Sequence, residues 1–228
     1  TTGNVSNTER LLVHRYTILE NFVNRLKINY PGIWKLLGET CARGAALAYS
    51  HKLTNITSRG EVNKFGANFA VHLESFPSTL ELTYLPDFAR LEWLRTVSAE
   101  AKNEITIAPD KLAKMNPDKL EKYQLIFNSS VFFMKSTFPL MQIQDLINDK
   151  NSSEIMLSRE SSYFIVYRLD NIVNTAWLAR DTWEFLFSLH NGRSLGEALY
   201  ESQKMGFELN LEEIFKFIFL RKMITQIK

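Results

Sequence analysis

Four histidines and one cysteine are the side chains best suited to chemistry: His14, His51, His72, His190 and Cys41. A helix binds a metal ion through two imidazoles, or an imidazole and a carboxylate, placed four residues apart on one face. None of the four histidines has such a neighbour; only Asp87 or Glu92, distant along the chain, could approach one through space. Cys41 is alone, so an internal disulfide and a multi-thiolate metal site are both excluded. It sits among alanines, and a catalytic thiol would need a base that the sequence does not identify. A small core residue is the plainer reading. The phosphate-binding, nucleophile-elbow and metalloprotease motifs are all missing, and nine glycines leave little material for a phosphate-cradling loop. Asp87, Arg90 and Glu92 cluster near the start of one helix, as structural ion pairs or as a partner-contact patch. The expectation is a chain that is not itself an enzyme, with no catalytic residue, metal or cofactor of its own.

What such a chain holds must then come from its elements. At 228 residues, 45% hydrophobic and 23% charged, it can bury one large core or two small ones. The net charge of +2 lacks the basic excess typical of nucleic-acid binders, so nucleic acid is not the expected partner. No apolar run reaches membrane-spanning length. Thr1–Thr8 lacks the pattern of a signal peptide, and a reducing cytoplasm is the expected location; with no Met at position 1, a true start further upstream is expected.

The periodicity predicts an α+β chain, mostly α. Ser6 and Glu9 have capping-box spacing, and Leu11, Leu12, Ile18, Leu19, Phe22, Val23 and Leu26 then mark a long amphipathic helix ending before Pro31. A short helix follows to Leu37, Gly38 breaks it, and Glu39–Ser50 forms another. His51–Gly60 reads as polar loop. Val62, Phe65, Phe69 and Leu73 predict a fourth helix stopped at Pro77, and Phe88, Leu91, Leu94 and Val97 a fifth after Pro86. Residues 1–102 are thus expected to form a helical domain, with 103–123 connecting and 124–228 forming a second module. In that module Gln124–Phe127 and Val131–Ser136 read as strands, Pro139–Asn148 as a short helix and Asp149–Glu154 as loop.

Ser162–Leu169 and Ile172–Trp177 predict a hairpin, because Asp170-Asn171 tolerates the left-handed backbone of a two-residue turn. Three helices follow. The first carries Trp183, Leu186, Phe187 and His190 and ends at Asn191-Gly192; Ser194 with Glu197, and Asn210 with Glu213, predict the starts of the others. Strands followed by a helix trio resemble a winged-helix or peptide-recognition module. A winged helix reads DNA through polar and basic residues of its recognition helix. Here that helix opens with Glu212 and Glu213, which oppose a phosphate backbone. Its remainder, Ile214, Phe215, Phe217, Ile218, Phe219 and Leu220, is apolar nearly all round and belongs either to a core or to a groove wall.

A groove beside an open strand suits an extended peptide, which pairs with unused N–H and C=O groups. The expected edge is Ile172, Val173, Asn174, Thr175, Ala176 and Trp177, with Leu211, Phe215 and Ile218 lining the groove. The competing arrangement has Gln124–Ser136 covering that edge.

Arg15-Tyr16, Asn21, Asn24, Tyr30-Pro31 and Leu36-Leu37-Gly38-Glu39 resemble the N-terminal domain of HvfC/BufC-type proteins. Phe65-Gly66-Ala67-Asn68-Phe69 and the block Tyr84-Leu85-Pro86-Asp87-Phe88-Ala89-Arg90-Leu91-Glu92-Trp93 fit the same pattern. The resemblance covers about the first hundred residues and the C-terminal module in outline. Tyr30 stands where the family more often has Phe, and Asp149–Glu154 has no counterpart. The resemblance, shared with the MbnC proteins of methanobactin pathways, implies a partner subunit of a TIM-barrel, multinuclear-iron oxygenase. That complex modifies cysteines of a ribosomal precursor peptide, giving copper-binding oxazolone–thioamide groups in the methanobactin case. The iron would lie in the partner enzyme, and this chain would hold the precursor's leader. Arg90 and Trp93 are then candidates for the enzyme interface, although Trp93 equally suits the core. The alternative is a winged-helix DNA-binding regulator.

Overall fold

The structure, a computed structural model, describes residues 7–54, 65–108, 117–148 and 161–228. It is α+β and mostly helical, as the periodicity requires. The chain divides into two compact units, Thr1–Trp93 with Gln142–Leu157, and Leu94–Met141 with Ser158–Lys228. The division falls inside a helix, eight or so residues before the composition change at Ala101, because helical propensity does not register which partner a turn packs on.

The first unit contains α1 (Asn7–Asn29), α2 (Pro31–Thr54), α3 (Phe69–Ser75) and the start of α4 (Leu85–Glu100). Gly38 interrupts α2 with φ 72° and ψ 163°, so two helices meet there at a kink, where a glycine backbone adopts what other residues resist. Two sequence expectations need correction. His51–Thr54 is not loop but the last turn of α2. The next helix begins at Phe69, after a turn at Phe65–Asn68, because Gly66 has φ 111° and cannot be helical. Val62, the Ser6–Glu9 cap and the Asp149–Glu154 loop lie outside the described residues.

The residues of the quoted blocks converge at the start of α2. Its first free N–H groups need acceptors, and Glu92 supplies both carboxylate oxygens, to Gly32 N at 2.6 Å and Ile33 N at 3.0 Å. A side chain at Gly32 would collide with Phe88 and Glu92. The Tyr30 hydroxyl donates to Gly66 O, and Trp93 stacks parallel to the Tyr30 ring at 6.3 Å. Burial raises the Tyr30 phenol pKa, keeping it a neutral donor.

The second unit holds β1 (Leu125–Phe127), β2 (Phe132–Ser136), β3 (Ser162–Leu169), β4 (Ile172–Trp177) and β5 (Ile224–Ile227). With them are α6 (Arg180–His190), α7 (Leu195–Lys204) and α8 (Leu211–Leu220); α5 (Leu140–Asn148) starts in this unit and ends in the other. β2, β3 and β4 make an antiparallel sheet in that order, and β1 pairs antiparallel with β5. β5 was not legible in the sequence. Lys222, at φ 52°, ends the chain's helical run, and the four residues of β5 complete β1 rather than forming a recognisable pattern alone.

The hairpin forms with the expected boundaries, and Asp170 (φ 49°) and Asn171 (φ 66°) take the left-handed pair of a type I′ turn. Ser194 and Glu197 make a complete capping box. Asn210 caps α8 through Glu213 N, without the return bond of a full box. The start of α6 has no side-chain cap; Trp183 anchors it instead by donating from Nε1 to Phe164 O at 3.1 Å. Ile165 and Tyr167 of the sheet meet Phe185, Leu186 and Leu189 of α6 and Ile214, Ile218 and Phe219 of α8 in one core.

Candidate peptide-binding edge

Antiparallel strands alternate between pairs that exchange two backbone hydrogen bonds and pairs that exchange none. Leu178 N donates to Tyr163 O at 2.9 Å, which sets the phase of the β3–β4 ladder. Ile172, Asn174 and Ala176 therefore turn their backbone groups towards Leu169, Tyr167 and Ile165. Val173, Thr175 and Trp177 turn theirs outward. Among the described residues no strand pairs with that outer side: β2 takes the opposite flank of β3, and β1 takes β5. Of the two sequence-level arrangements, the one with Gln124–Ser136 over β4 is the one not formed.

The two faces of the edge are covered differently. Val173, Thr175 and Trp177 share a face with Phe164, Val166 and Arg168. There the Trp177 ring packs on Phe164 at 4.7 Å, and Arg95 Nε of α4 donates to Thr175 Oγ1 at 3.0 Å. Arg168 donates to Ala99 O at 2.6 Å and Lys102 O at 2.9 Å, satisfying carbonyls at the C-terminus of α4, where a cation is favoured. On the opposite face lie Ile172, Asn174 and Ala176, with the helices beyond them.

α6 occupies the β2 side of that face, its Trp183, Phe187 and His190 rings packing on Phe133. α8 occupies the β4 side. Before its start, Phe207 lies under the Arg180 guanidinium just beyond the end of β4. After its end, Lys222 Nζ pairs with Asp170 in the hairpin turn at 2.5 Å, and Arg221 Nε donates to Tyr167 Oη at 3.0 Å. α8 thus runs antiparallel to β4 from the foot of the hairpin to its tip.

Of the three residues expected to line a groove beside β4, Leu211 and Phe215 are half-buried, whereas Ile218 is fully enclosed and serves the core. Phe215 packs beside Phe219, one turn further along α8, against the core. The side chains on the sheet side of α8 are Phe217, whose ring meets Tyr167 edge-on, and Arg221. Their four-residue spacing was visible in the sequence, but which flank of an all-apolar helix meets the sheet was not.

Arg90 bonds Asp87 at 2.5 Å and also Glu74, and is part of a surface ion-pair cluster. Trp93 is half-buried against Tyr30 and Gly66. Glu92 caps α2 and Asp87 pairs with Arg90. His72 is packed on Tyr49, Phe69 and Phe76, with Nε2 3.1 Å from Ala45 O. Desolvation lowers the pKa of buried His72 and of His190, an exposed residue whose ring packs on Phe127 and Phe133. Among the described residues, no three metal-binding side chains gather, and no helix is long and apolar enough to cross a membrane. No family model matches the chain, and no curated protein matches it.

Proposed function

We propose that this chain is a substrate-recognition subunit that captures an extended peptide as an added strand on β4. The single observation that carries the reading is the outward row of backbone groups on Val173, Thr175 and Trp177, with no strand against it among the described residues and a helix running beside it. Main-chain bonds would supply affinity there, and the flank facing α8 would select side chains. The resemblance of the N-terminal blocks to HvfC/BufC-type proteins supports the leader of a Cys-containing ribosomal precursor as that peptide. It supports a TIM-barrel, multinuclear-iron oxygenase as the enzyme served, with the iron held in the partner and Arg90 and Trp93 proposed at the interface. The chain would contribute no catalytic residue.

The test is a titration with two probes: a labelled synthetic leader peptide of a Cys-containing ribosomal precursor, and a DNA duplex, each at low and high salt. The reading expects peptide binding with a shallow salt dependence, lost on Thr175→Pro. DNA binding that falls steeply with salt, without peptide binding, would establish the regulator instead.

A further inference from the structure

Two arginines, each over a phenylalanine ring, stand at the two ends of the α8 flank of β4. At the tip, the Arg221 guanidinium lies 4.3 Å from the Phe217 ring centroid and is steadied by Tyr167 Oη. At the foot, the Arg180 guanidinium lies 5.9 Å from the Phe207 ring centroid. Among the described residues neither has a carboxylate within ion-pair distance, whereas Lys222 and Lys216 are each paired at 2.5 Å. Arg221 spends Nε on Tyr167 and one Nη1 hydrogen on Phe217 O at 3.5 Å, which leaves the outer Nη1 and Nη2 hydrogens, the end of the guanidinium that receives a carboxylate through two parallel bonds. Between the two arginines, β4 presents no charged side chain. The cavity of about 430 Å³ around Asn103, Glu104, Arg168, Asp170 and Lys222 differs in kind. There Lys222 neutralises Asp170, Glu104 accepts from Ser129 N, and Arg168 is spent on backbone carbonyls, so nothing charged is left to recruit a ligand.

We propose that the strand captured on β4 is acidic at both ends, one carboxylate meeting Arg221 at the hairpin tip and another meeting Arg180 at its foot. The six residues of β4 span about 20 Å at about 3.3 Å per residue, so the two acids would lie roughly five to seven residues apart. Apolar side chains between them would alternate towards Phe217 on the α8 flank, with Ile172 and Leu220, 66% and 64% exposed, at its tip end. This inference rests on the reading of β4 as a peptide edge and specifies the chemistry of the peptide.

The test uses the full chain. A random peptide library displayed on phage is selected on the immobilised protein. Selected peptides are then synthesised and titrated against wild type, Arg180→Gln, Arg221→Gln, Arg221→Lys and Thr175→Pro, each confirmed as folded by circular dichroism. The inference expects Asp or Glu enriched at two positions with the stated separation. It expects about tenfold weaker binding for each Gln variant at low salt, a larger loss when they are combined, and partial recovery with Arg221→Lys. Peptides sensitive to Thr175→Pro but neutral or basic, or bound equally by both Gln variants, would overturn the inference while leaving the edge reading intact. Peptides indifferent to Thr175→Pro, or no binders at all, would overturn both. A DNA duplex lost from both Gln variants would assign the two arginines to nucleic acid instead.

Discussion

Glu92 shows how a residue that looks like chemistry serves the fold. Its carboxylate is buried and satisfies the first N–H groups of α2, so its removal leaves two buried donors unpaired. Glu92→Ala is expected to destabilise the protein by about 2–4 kcal/mol in chemical denaturation, with Glu92→Gln intermediate because it keeps one acceptor oxygen. His72, which is buried, and His190, an exposed residue whose ring packs on Phe127 and Phe133, contribute to the response to acid. Desolvation holds His72 and His190 below the ordinary imidazole value of 6.5, and Lys52 adds repulsion at His72. The unfolded chain therefore binds more protons than the native one once pH falls below that value. Stability from these groups is complete above about pH 7 and declines as pH falls through 6.5 towards the lower native values. His190→Phe, on a site lined by Phe127 and Phe133, should flatten the fall in unfolding free energy between about pH 7 and 5. An unchanged slope would assign the acid response elsewhere.

At the level of elements, the hairpin makes two neighbouring positions inequivalent. Thr175 directs its N–H out of the sheet and Asn174 directs its own into β3. Thr175→Pro should leave the sheet folded, with a loss of about 1–2 kcal/mol because Arg95 Nε also loses its acceptor, and weaken peptide binding by tenfold or more. Asn174→Pro removes a bond to Tyr167 and should cost about 3 kcal/mol. A lower melting temperature for Thr175→Pro than for Asn174→Pro would show that the ladder has the opposite phase. The turn offers a gain instead of a loss. Asn171→Gly relieves a side chain from φ 66° and should raise unfolding free energy by a few tenths to about 1 kcal/mol, read from the denaturation midpoint.

For the whole molecule, division into two units assigns different work to each. The first is organised round the Tyr30, Gly66 and Glu92 node, and its distinctive sequence blocks are spent on closing that node. The second carries the open edge. A peptide that binds only the native edge should raise stability by about 2.7 kcal/mol at a hundred times its dissociation constant, seen as a concentration-dependent melting temperature. Thr175→Pro should abolish that shift without lowering the baseline melt greatly.

The sequence by itself determined the elements whose causes are local. The Asp170-Asn171 turn, the break at Gly38, the Ser194–Glu197 box and the strand pattern of Ser162–Leu169 depend on residues within a few positions of one another, and each forms as expected. Tertiary structure alone decided that no strand among the described residues takes the outer side of β4, because that depends on β2 choosing β3 and on β1 choosing β5, a partner ninety-odd residues away. It also decided that Ile218 faces the core while Phe217 and Arg221 face the sheet: a helix apolar on nearly every side carries no periodic mark of its orientation until other elements close around it.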